Sequence, residues 1–309
     1  MLAFSPPRTP KLATIVRAIA LARRFDRGPR VGHNTGMVQF AFVESGPDQL
    51  AVSLDLPAAP SAEGTASGPW PAVIVCHGLT GQRLGRGYHL VEFGQRLAAA
   101  GIACVRFDQA GCGESTGRFV DLTLPRMKRD TVAIRDWLTA QPWADPTRLG
   151  YVGLSLGALP AIAAEADYPA RGVALWAPVY DMPRVFHETA RTGLRGLLEH
   201  QGWVPYRGLP VGKGFVDQLD AIGPDPLLAE SDSPLLLFHS QADDTVAICE
   251  SEAYKARCDQ LGRPCELVRF KTANHDFSDY EDRRAVLDRT VSFFQKQLRQ
   301  ASVKQSADQ

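Results

Sequence analysis

The sequence predicts an α/β protein built on a mostly parallel, eight-stranded sheet with helices on both faces. Three observations predict this fold class. From Ala72 onward, short strand-like segments alternate with helix-like ones, which is typical of a parallel sheet. Each of these strands is apolar throughout, as expected where helices cover both faces of a sheet. Ahead of them, two segments of alternating polarity are joined by the turn-rich residues 45–48, which predicts an antiparallel hairpin.

The predicted elements follow one another in a regular order until residue 179. The alternation then stops and resumes at Pro234, and the intervening residues are too apolar for a disordered linker. We therefore predict a cap, residues 180–233, inserted after the sixth strand. The core comprises 36–179 and 234–300, preceded by an N-terminal extension, 1–35, that we expect to be helical, and followed by a frayed tail, 301–309. The strands are predicted at 37–43, 49–56, 72–76, 102–107, 149–153, 173–177, 235–239 and 266–270, and the helices at 91–100, 126–140, 156–164, 250–261 and 283–298.

The amino-acid composition limits the classes of molecule that the protein is expected to bind. The 309 residues include 34 basic and 34 acidic side chains, so no global field favours nucleic acid. The six cysteines show no C-x-x-C pair and no metal-ligand spacing, which predicts reduced thiols, no metal site and no bound cofactor. No run approaches the roughly 18 apolar residues that a membrane span requires. We expect a cytoplasmic protein with a small-molecule substrate, and the sequence leaves the oligomeric state open.

Gly153–Gly157 is the most informative motif of the chain. It has the pattern G-x-S-x-G, follows the predicted strand 149–153 and opens the predicted helix 156–164. A sharp turn from strand to helix strains its central residue, and the two glycines give neighbouring backbone the clearance that it needs. The amino end of the helix points free N–H groups and positive dipole toward whatever the serine attacks. Ser155 is therefore the candidate nucleophile.

A serine hydroxyl is a poor nucleophile at neutral pH. It needs a histidine to take its proton and a carboxylate to orient that histidine. Asp243 lies just beyond the strand 235–239 and precedes the apolar Val246, while its neighbour Asp244 competes for the same role. His275 lies between the last predicted strand and the last predicted helix, at the sheet edge where ligands of open α/β folds bind. The sequence favours Asp243 as the acid and His275 as the base.

The loop His77–Gly81 is the second part of the expected chemistry. A backbone N–H from the loop at this point and one from the residue after the nucleophile form an oxyanion hole. We assign these donors to Leu79 and Leu156. The glycines of the later loop Gly111–Gly113 do not form a dinucleotide fingerprint, because Thr116 stands where a third glycine is needed. Asp108 is expected to tie down that loop with its side chain.

Aromatic side chains of the cap are candidates for the walls of a substrate pocket. They are equally suited to form the core of the cap itself, and the sequence does not separate the two roles. The candidates are Phe186, Trp203, Tyr206 and Phe215.

With these residues assembled, the chain resembles an α/β-hydrolase over about residues 37–300. The segments His77–Gly81, Gly101–Asp108 and Gly111–Ser115 resemble the cinnamoyl/feruloyl esterase group and its acyl-peptidase-like relatives. The resemblance implies Ser155, Asp243 and His275 as a catalytic triad, with a cap that contributes to the acyl or alcohol pocket. Esterases of this group cleave esters of aromatic or short acyl acids.

The expected activity is hydrolysis of carboxylic esters by a serine hydrolase without a cofactor. A peptidase or amidase that uses the same triad is one alternative. A non-catalytic binding protein that kept the fold is another. Haloalkane and epoxide hydrolysis are disfavoured, because those chemistries on this fold use an aspartate nucleophile and this chain has Ser155.

Overall fold

An eight-stranded mixed sheet forms the centre of the computed structural model, which describes residues 38–58, 69–191, 195–221 and 223–299. The strand order is β1-β2-β4-β3-β5-β6-β9-β10. β1 pairs with β2 and β2 with β4 in antiparallel fashion, and the other neighbours are parallel. The mostly parallel eight-stranded sheet predicted from the sequence is confirmed. The strands are β1 Val38–Ser45, β2 Asp48–Asp55, β3 Trp70–Cys76, β4 Ala103–Phe107, β5 Ala144–Leu154, β6 Gly172–Trp176, β9 Leu235–Ser240 and β10 Cys265–Phe270.

Helices cover both faces of the sheet, as predicted. Helices α1 His89–Ala99 and α9 Tyr280–Arg299 pack on one face, and α2 Leu124–Thr139, α3 Ala158–Asp167 and α8 Cys249–Leu261 pack on the other. Each face buries its own apolar cluster, because successive side chains of a strand point to opposite sides. Ligands of open α/β sheets bind at the carboxyl ends of such parallel strands.

Local signals set the ends of these helices. The side chain of Thr123 accepts a hydrogen bond from the N–H of Arg126 at 3.3 Å, which caps the amino end of α2, and a proline lies in its first turn. Gly262 ends α8 in the left-handed conformation, with φ at 70°. These signals place the helices within a few residues of the sequence prediction.

β5 is longer than the sequence predicts, since it begins at Ala144 and the prediction begins at 149. Its pairing with β3 shifts register between Trp70 and Ala72. Asp145 accepts hydrogen bonds from Thr147 within this stretch, so its local sequence has the character of a turn. Because of this irregularity, the start of β5 lacks the regular sequence pattern by which a strand is predicted.

The elements between β6 and β9 make up the segment predicted as a cap. They are α4 Met182–Arg191, α5 Arg195–Gln201, β7 Trp203–Tyr206, β8 Leu209–Gly212, α6 Lys213–Val216 and α7 Asp225–Leu228. β7 and β8 form an antiparallel hairpin of their own, which the sequence did not predict. Pro205 and Pro210 face each other in it, and proline normally argues against a strand.

The apolar side of the cap packs against the core around α3. The shared cluster joins side chains of the cap to residues that follow the core strands, so this segment covers the carboxyl edge of the sheet. Its members include Leu156, Leu159, Val179, Met182, Phe186, Val204, Val211, Phe215 and Val246.

The extension predicted to be helical, 1–35, and the predicted tail, 301–309, lie outside the described residues. Within the described ranges, no helix is both long enough and apolar enough to cross a membrane.

Candidate active site

Ser155 lies at the turn between β5 and α3, where the chain passes through a short 3-10 turn, Ser155–Gly157. Its φ is 51°, a left-handed conformation that a non-glycine residue rarely adopts. A Cβ at Gly157 would lie 2.3 Å from the carbonyl oxygen of Cys76, and one at Gly153 would lie 2.5 Å from the Cα of Ala158. Both positions therefore need glycine, as the motif predicts, and the turn holds Ser155 above the sheet.

Asp243 and His275 come from the loops after β9 and β10, and the structure brings them into contact. His275 Nδ1 donates a hydrogen bond to Asp243 Oδ2 at 2.8 Å. The other carboxylate oxygen accepts the N–H groups of Thr245 and Val246, each at 2.9 Å. With its Nδ1 proton held by Asp243, the ring keeps Nε2 as a proton acceptor.

Asp244, the competing candidate acid, is exposed and accepts a hydrogen bond from the hydroxyl of Thr245 at 3.3 Å. Its carboxylate makes no hydrogen bond to His275 among the described contacts. The Asp243 side chain, by contrast, is only 1% exposed. The geometry thus pairs the histidine with the acid that the sequence favoured.

The surroundings of Asp243 keep its carboxylate ionised. Burial by itself would raise the pKa, but hydrogen bonds from His239 and His275 and the backbone N–H of Val246 outweigh it. The pKa of Asp243 consequently lies well below its usual range. An ionised carboxylate at this position holds the imidazole of His275 in the tautomer that carries its proton on Nδ1.

The loop His77–Gly81 lies against Ser155. A Cβ on Gly78 would be 3.1 Å from the Cβ of Ser155, so the loop backbone approaches the serine directly. Nε2 of His77 accepts the N–H of Gln109 at 3.0 Å, which leaves Nδ1 to donate to the carbonyl of Gly78 at 2.8 Å. Burial lowers the pKa of His77, and the neutral ring can therefore serve as both acceptor and donor.

The loop His77–Gly81 and the side chain of His275 line one cavity of about 350 Å³. Ser155, His275 and Leu79 lie on its wall, and the cap contributes Phe186 and Tyr206. The side chain of Leu156, the other residue assigned to the oxyanion hole, is fully buried and packs under the cap. This arrangement places the candidate nucleophile and the candidate base on the wall of one cavity, which polar and apolar side chains line together.

A smaller apolar cavity adjoins the first and shares three lining residues with it, namely Leu79, Phe186 and Tyr206. Phe215 lines this second cavity, with its ring 5.5 Å from that of Phe186. Trp203 is not among the lining residues of either cavity and pairs with Gly212 at the start of the cap hairpin. Of the four aromatic residues predicted to line a pocket, Phe186 and Tyr206 line both cavities, Phe215 lines the smaller one and Trp203 lines neither.

The model of the prolyl oligopeptidase family, peptidase family S9, matches residues 94–301, which is well over half of the chain. The chain belongs to the prolyl oligopeptidase family. The members of this family are α/β-hydrolases, which confirms the superfamily resemblance that the sequence motifs indicated. The protein is a serine hydrolase of the α/β-hydrolase fold.

The proteins similar to this member of the prolyl oligopeptidase family carry different descriptions. An uncharacterized protein of Mycobacterium tuberculosis (strain ATCC 25618 / H37Rv) is 29% identical over 224 residues, which cover 72% of this chain and 69% of that protein. Est1E from Butyrivibrio proteoclasticus, in a structure with ferulic acid bound, superposes with a TM-score of 0.69 at 23% identity and covers 84% of this chain and 100% of that one. A puromycin-hydrolyzing peptidase of M. tuberculosis superposes with a TM-score of 0.70 at 18% identity and covers 89% of this chain and 41% of that one. At these identities the two structures show the fold.

One residue beside Asp243, His239, was not among the site residues predicted from the sequence. His239 is fully buried at the end of β9, where Nε2 donates to the carbonyl of Val246 at 2.8 Å and Nδ1 accepts the hydroxyl of Ser251 at 2.7 Å. The same Nε2 lies 3.4 Å from Asp243 Oδ2. His239 thus fixes the loop that presents the acid. Its position four residues before Asp243 was the only available signal.

A buried ionic cluster anchors the loop that carries the expected oxyanion donor. Asp108 accepts the N–H of Arg83 at 2.6 Å and the N–H of Glu114 at 2.9 Å, so it ties down backbone as predicted. Its carboxylate also forms an ion pair with the Arg83 side chain, which the sequence did not indicate. Across the described ranges, no group of three His, Cys, Asp or Glu side chains is arranged to hold a metal ion.

Proposed function

We propose that the protein hydrolyses carboxylic esters of small molecules through an acyl-enzyme on Ser155. In this mechanism His275, oriented by Asp243, removes the proton of Ser155 as the hydroxyl attacks the carbonyl. The N–H groups of Leu79 and Leu156 stabilise the tetrahedral oxyanion, each contributing about 3 kcal/mol of transition-state stabilisation. His275 then protonates the leaving alcohol and activates the water that releases the acid.

The observation that carries this proposal is the hydrogen bond between His275 and Asp243 at the wall of the cavity that Ser155 also lines. Both loops that present these side chains follow neighbouring parallel strands. The strained serine turn supports the same role, because backbone strain of this kind is retained at functional sites.

The lining of the cavity favours a small ester over a peptide. The adjoining cavity has room for about one water molecule, and its apolar side chains extend the wall of the main cavity on the side of Phe186 and Tyr206. A peptidase that anchors a free amino terminus needs an unpaired carboxylate. Among the described residues that line the main cavity, Asp276 is the only acidic one, and Arg86 binds it at 2.5 Å.

Amide or peptide hydrolysis with the same triad is the second candidate, and the match to a peptidase family favours it. Parallel assays of p-nitrophenyl esters and aminoacyl anilides separate the two. We expect ester turnover to exceed anilide turnover by orders of magnitude. Substantial anilide turnover with negligible ester turnover would reverse the assignment, and the Ser155→Ala variant, which should be inactive in both assays, is the control.

Two further assignments accompany this function. Residues 180–233 are assigned as the lid of the substrate cavity, because Phe186 and Tyr206 from this segment line it. All six cysteines lie within the described residues and are free thiols, which supports the reducing cytoplasm as the compartment.

A further inference from the structure

The charged side chains that line the main cavity do not balance. Apart from the three histidines His77, His89 and His275, they are Arg86, Arg207 and Asp276. Arg86 Nη1 lies 2.5 Å from Asp276 Oδ2, so these two charges neutralise each other. Arg207 forms no ion pair with any carboxylate among the described residues, and its polar side-chain contact there is the hydroxyl of Thr245 at 3.4 Å. One positive charge is therefore left over at the wall of the cavity.

The backbone of Arg207 is strained. Arg207 and Gly208 are the two central residues of the turn between β7 and β8, with φ at 49° and 84°. A two-residue turn with both φ values positive favours Asn, Asp or Gly at its first position, because a longer side chain is disfavoured there. Arginine is therefore an unfavourable residue for this turn. Residues that are unfavourable for the local backbone are typical of functional sites.

Two neighbouring side chains contact the guanidinium of Arg207 at the wall of the cavity. The Arg207 guanidinium lies 5.7 Å from the centre of the Tyr206 ring, within the range of a cation–π contact. Thr245, its hydrogen-bond partner, belongs to the loop that carries Asp243. Arg207 thus bridges the β7–β8 hairpin and the loop of Asp243 at the wall of the main cavity.

We propose that Arg207 binds a carboxylate on the substrate, so that the natural substrate is an ester that carries a second, anionic carboxyl group. A guanidinium offers paired N–H donors that match a carboxylate, and a single positive charge at a cleft raises the local concentration of anions. This inference rests on the proposed ester hydrolysis and specifies its substrate class. The carboxylate can belong to the acyl part, as in a dicarboxylic hemiester, or to the leaving group.

Matched pairs of esters test this proposal. The first pair is the p-nitrophenyl hemiester of glutaric acid against p-nitrophenyl pentanoate, and the second is 4-acetoxybenzoate against phenyl acetate. For each pair, the ratio of kcat/KM for the anionic ester to that for the neutral ester is measured at low salt. We expect the wild-type ratio to exceed one for the pair whose carboxylate reaches Arg207, and to fall as salt is added.

The decisive variant is Arg207→Asn, because asparagine suits the turn while the charge is removed. We expect the anionic-to-neutral ratio to fall roughly tenfold, as for the loss of a charge-assisted hydrogen bond at an exposed site. Arg207→Lys should keep part of the ratio. Arg299→Asn, which removes an exposed arginine from the end of α9 that does not line the cavity, should keep all of it.

The outcomes separate this inference from the proposed function. Wild-type ratios at or below one for both pairs, or ratios that Arg207→Asn leaves unchanged, would overturn the anionic substrate while ester hydrolysis stands. Absence of turnover with all four esters would instead contradict the ester hydrolysis itself.

Discussion

Hydrogen bonds at the candidate site converge on Asp243. Its two carboxylate oxygens contact His275, His239 and the N–H groups of Thr245 and Val246. The sequence could indicate Asp243 and His275 because each follows the end of a predicted strand, at the edge of the sheet where ligands of open α/β folds bind. It could not identify His239, because that contact exists only once the loop after β9 folds back over the strand end.

The low pKa of Asp243 predicts how stability depends on pH. The pKa is lower in the folded protein than the ordinary value of about 3.9, so the ionised carboxylate stabilises the fold at neutral pH and this stabilisation is lost as pH falls through the folded value. We expect Asp243→Asn to lower the free energy of unfolding on the order of 2 kcal/mol at pH 7. Urea unfolding of both proteins from pH 3 to 8 measures the difference.

That difference should stay constant from pH 8 to about 5 and shrink below about 4. Other carboxylates titrate in both proteins and largely cancel. A difference that grows as the pH is lowered would contradict the depressed pKa.

Removal of His239 should slow the chemical step more than it weakens binding. In His239→Ala the Asp243 loop loses its buried anchor, so we expect kcat to fall about tenfold or more with little change in KM. His239→Gln, which keeps an N–H donor, should recover part of the rate. His200→Ala, an exposed histidine of the cap, is the matched control. A wild-type kcat in His239→Ala, with the variant shown to be folded by thermal unfolding, would exclude a positioning role.

At the scale of elements, the cap is attached to the core through a buried carboxylate. Glu250, in the first turn of α8, is fully buried and accepts the N–H groups of Tyr180 and Asp181 at 2.7 and 2.6 Å. It also accepts Nε of Arg184 at 2.7 Å. The carboxylate thus holds the start of α4, where the stabilising effect of a negative charge on a helix is greatest.

We therefore expect Glu250→Ala to loosen the cap. Loss of these charge-assisted hydrogen bonds should destabilise the region by about 2–4 kcal/mol, speed cleavage of residues 180–233 by a protease and raise KM several-fold. Limited proteolysis followed by mass spectrometry measures the first effect and ester kinetics the second. Glu252→Ala, on the exposed side of the same helix, should change neither. Equal proteolysis of the two variants would show that Glu250 does not hold the cap.

The elements of the core were more predictable than those of the cap. Core strands are apolar throughout and alternate with helices, so their order and the two covered faces follow from the sequence alone. In the cap, Pro205 and Pro210 lie inside paired strands, and the first central position of their turn holds Arg207 where Asn, Asp or Gly is usual. The local sequence there disfavours a hairpin, and contacts with the rest of the folded protein override that preference.

At the scale of the whole molecule, a buried ion pair joins the antiparallel hairpin to the parallel sheet. Arg106 of β4 donates from Nε to Asp55 of β2 at 2.8 Å, and both side chains are at most 2% exposed. Arg106 also donates to the carbonyl of Arg83 at 2.9 Å, which links the pair to the loop beside Ser155. These buried charges could not be predicted from the sequence, because charged residues are mostly exposed and only the folded chain brings the partners together.

Asp55→Ala should cost about 3–5 kcal/mol of unfolding free energy, because it leaves the Arg106 charge buried without its partner. The double variant Asp55→Ala with Arg106→Met should recover more than half of that loss, since an apolar pair avoids the desolvation of a lone charge. Urea unfolding of the two variants and the wild type measures both values. A double variant less stable than Asp55→Ala would contradict this account of the pair.

The most direct test of the central claim, that Ser155 is an activated nucleophile, is covalent labelling with a fluorophosphonate followed by intact-mass measurement and peptide mapping. We predict one adduct per chain of native protein, located on Ser155, no adduct on Ser155→Ala, and labelling of His275→Ala slowed by orders of magnitude. Native protein that takes up no label, or carries it on a residue other than Ser155, would contradict the claim.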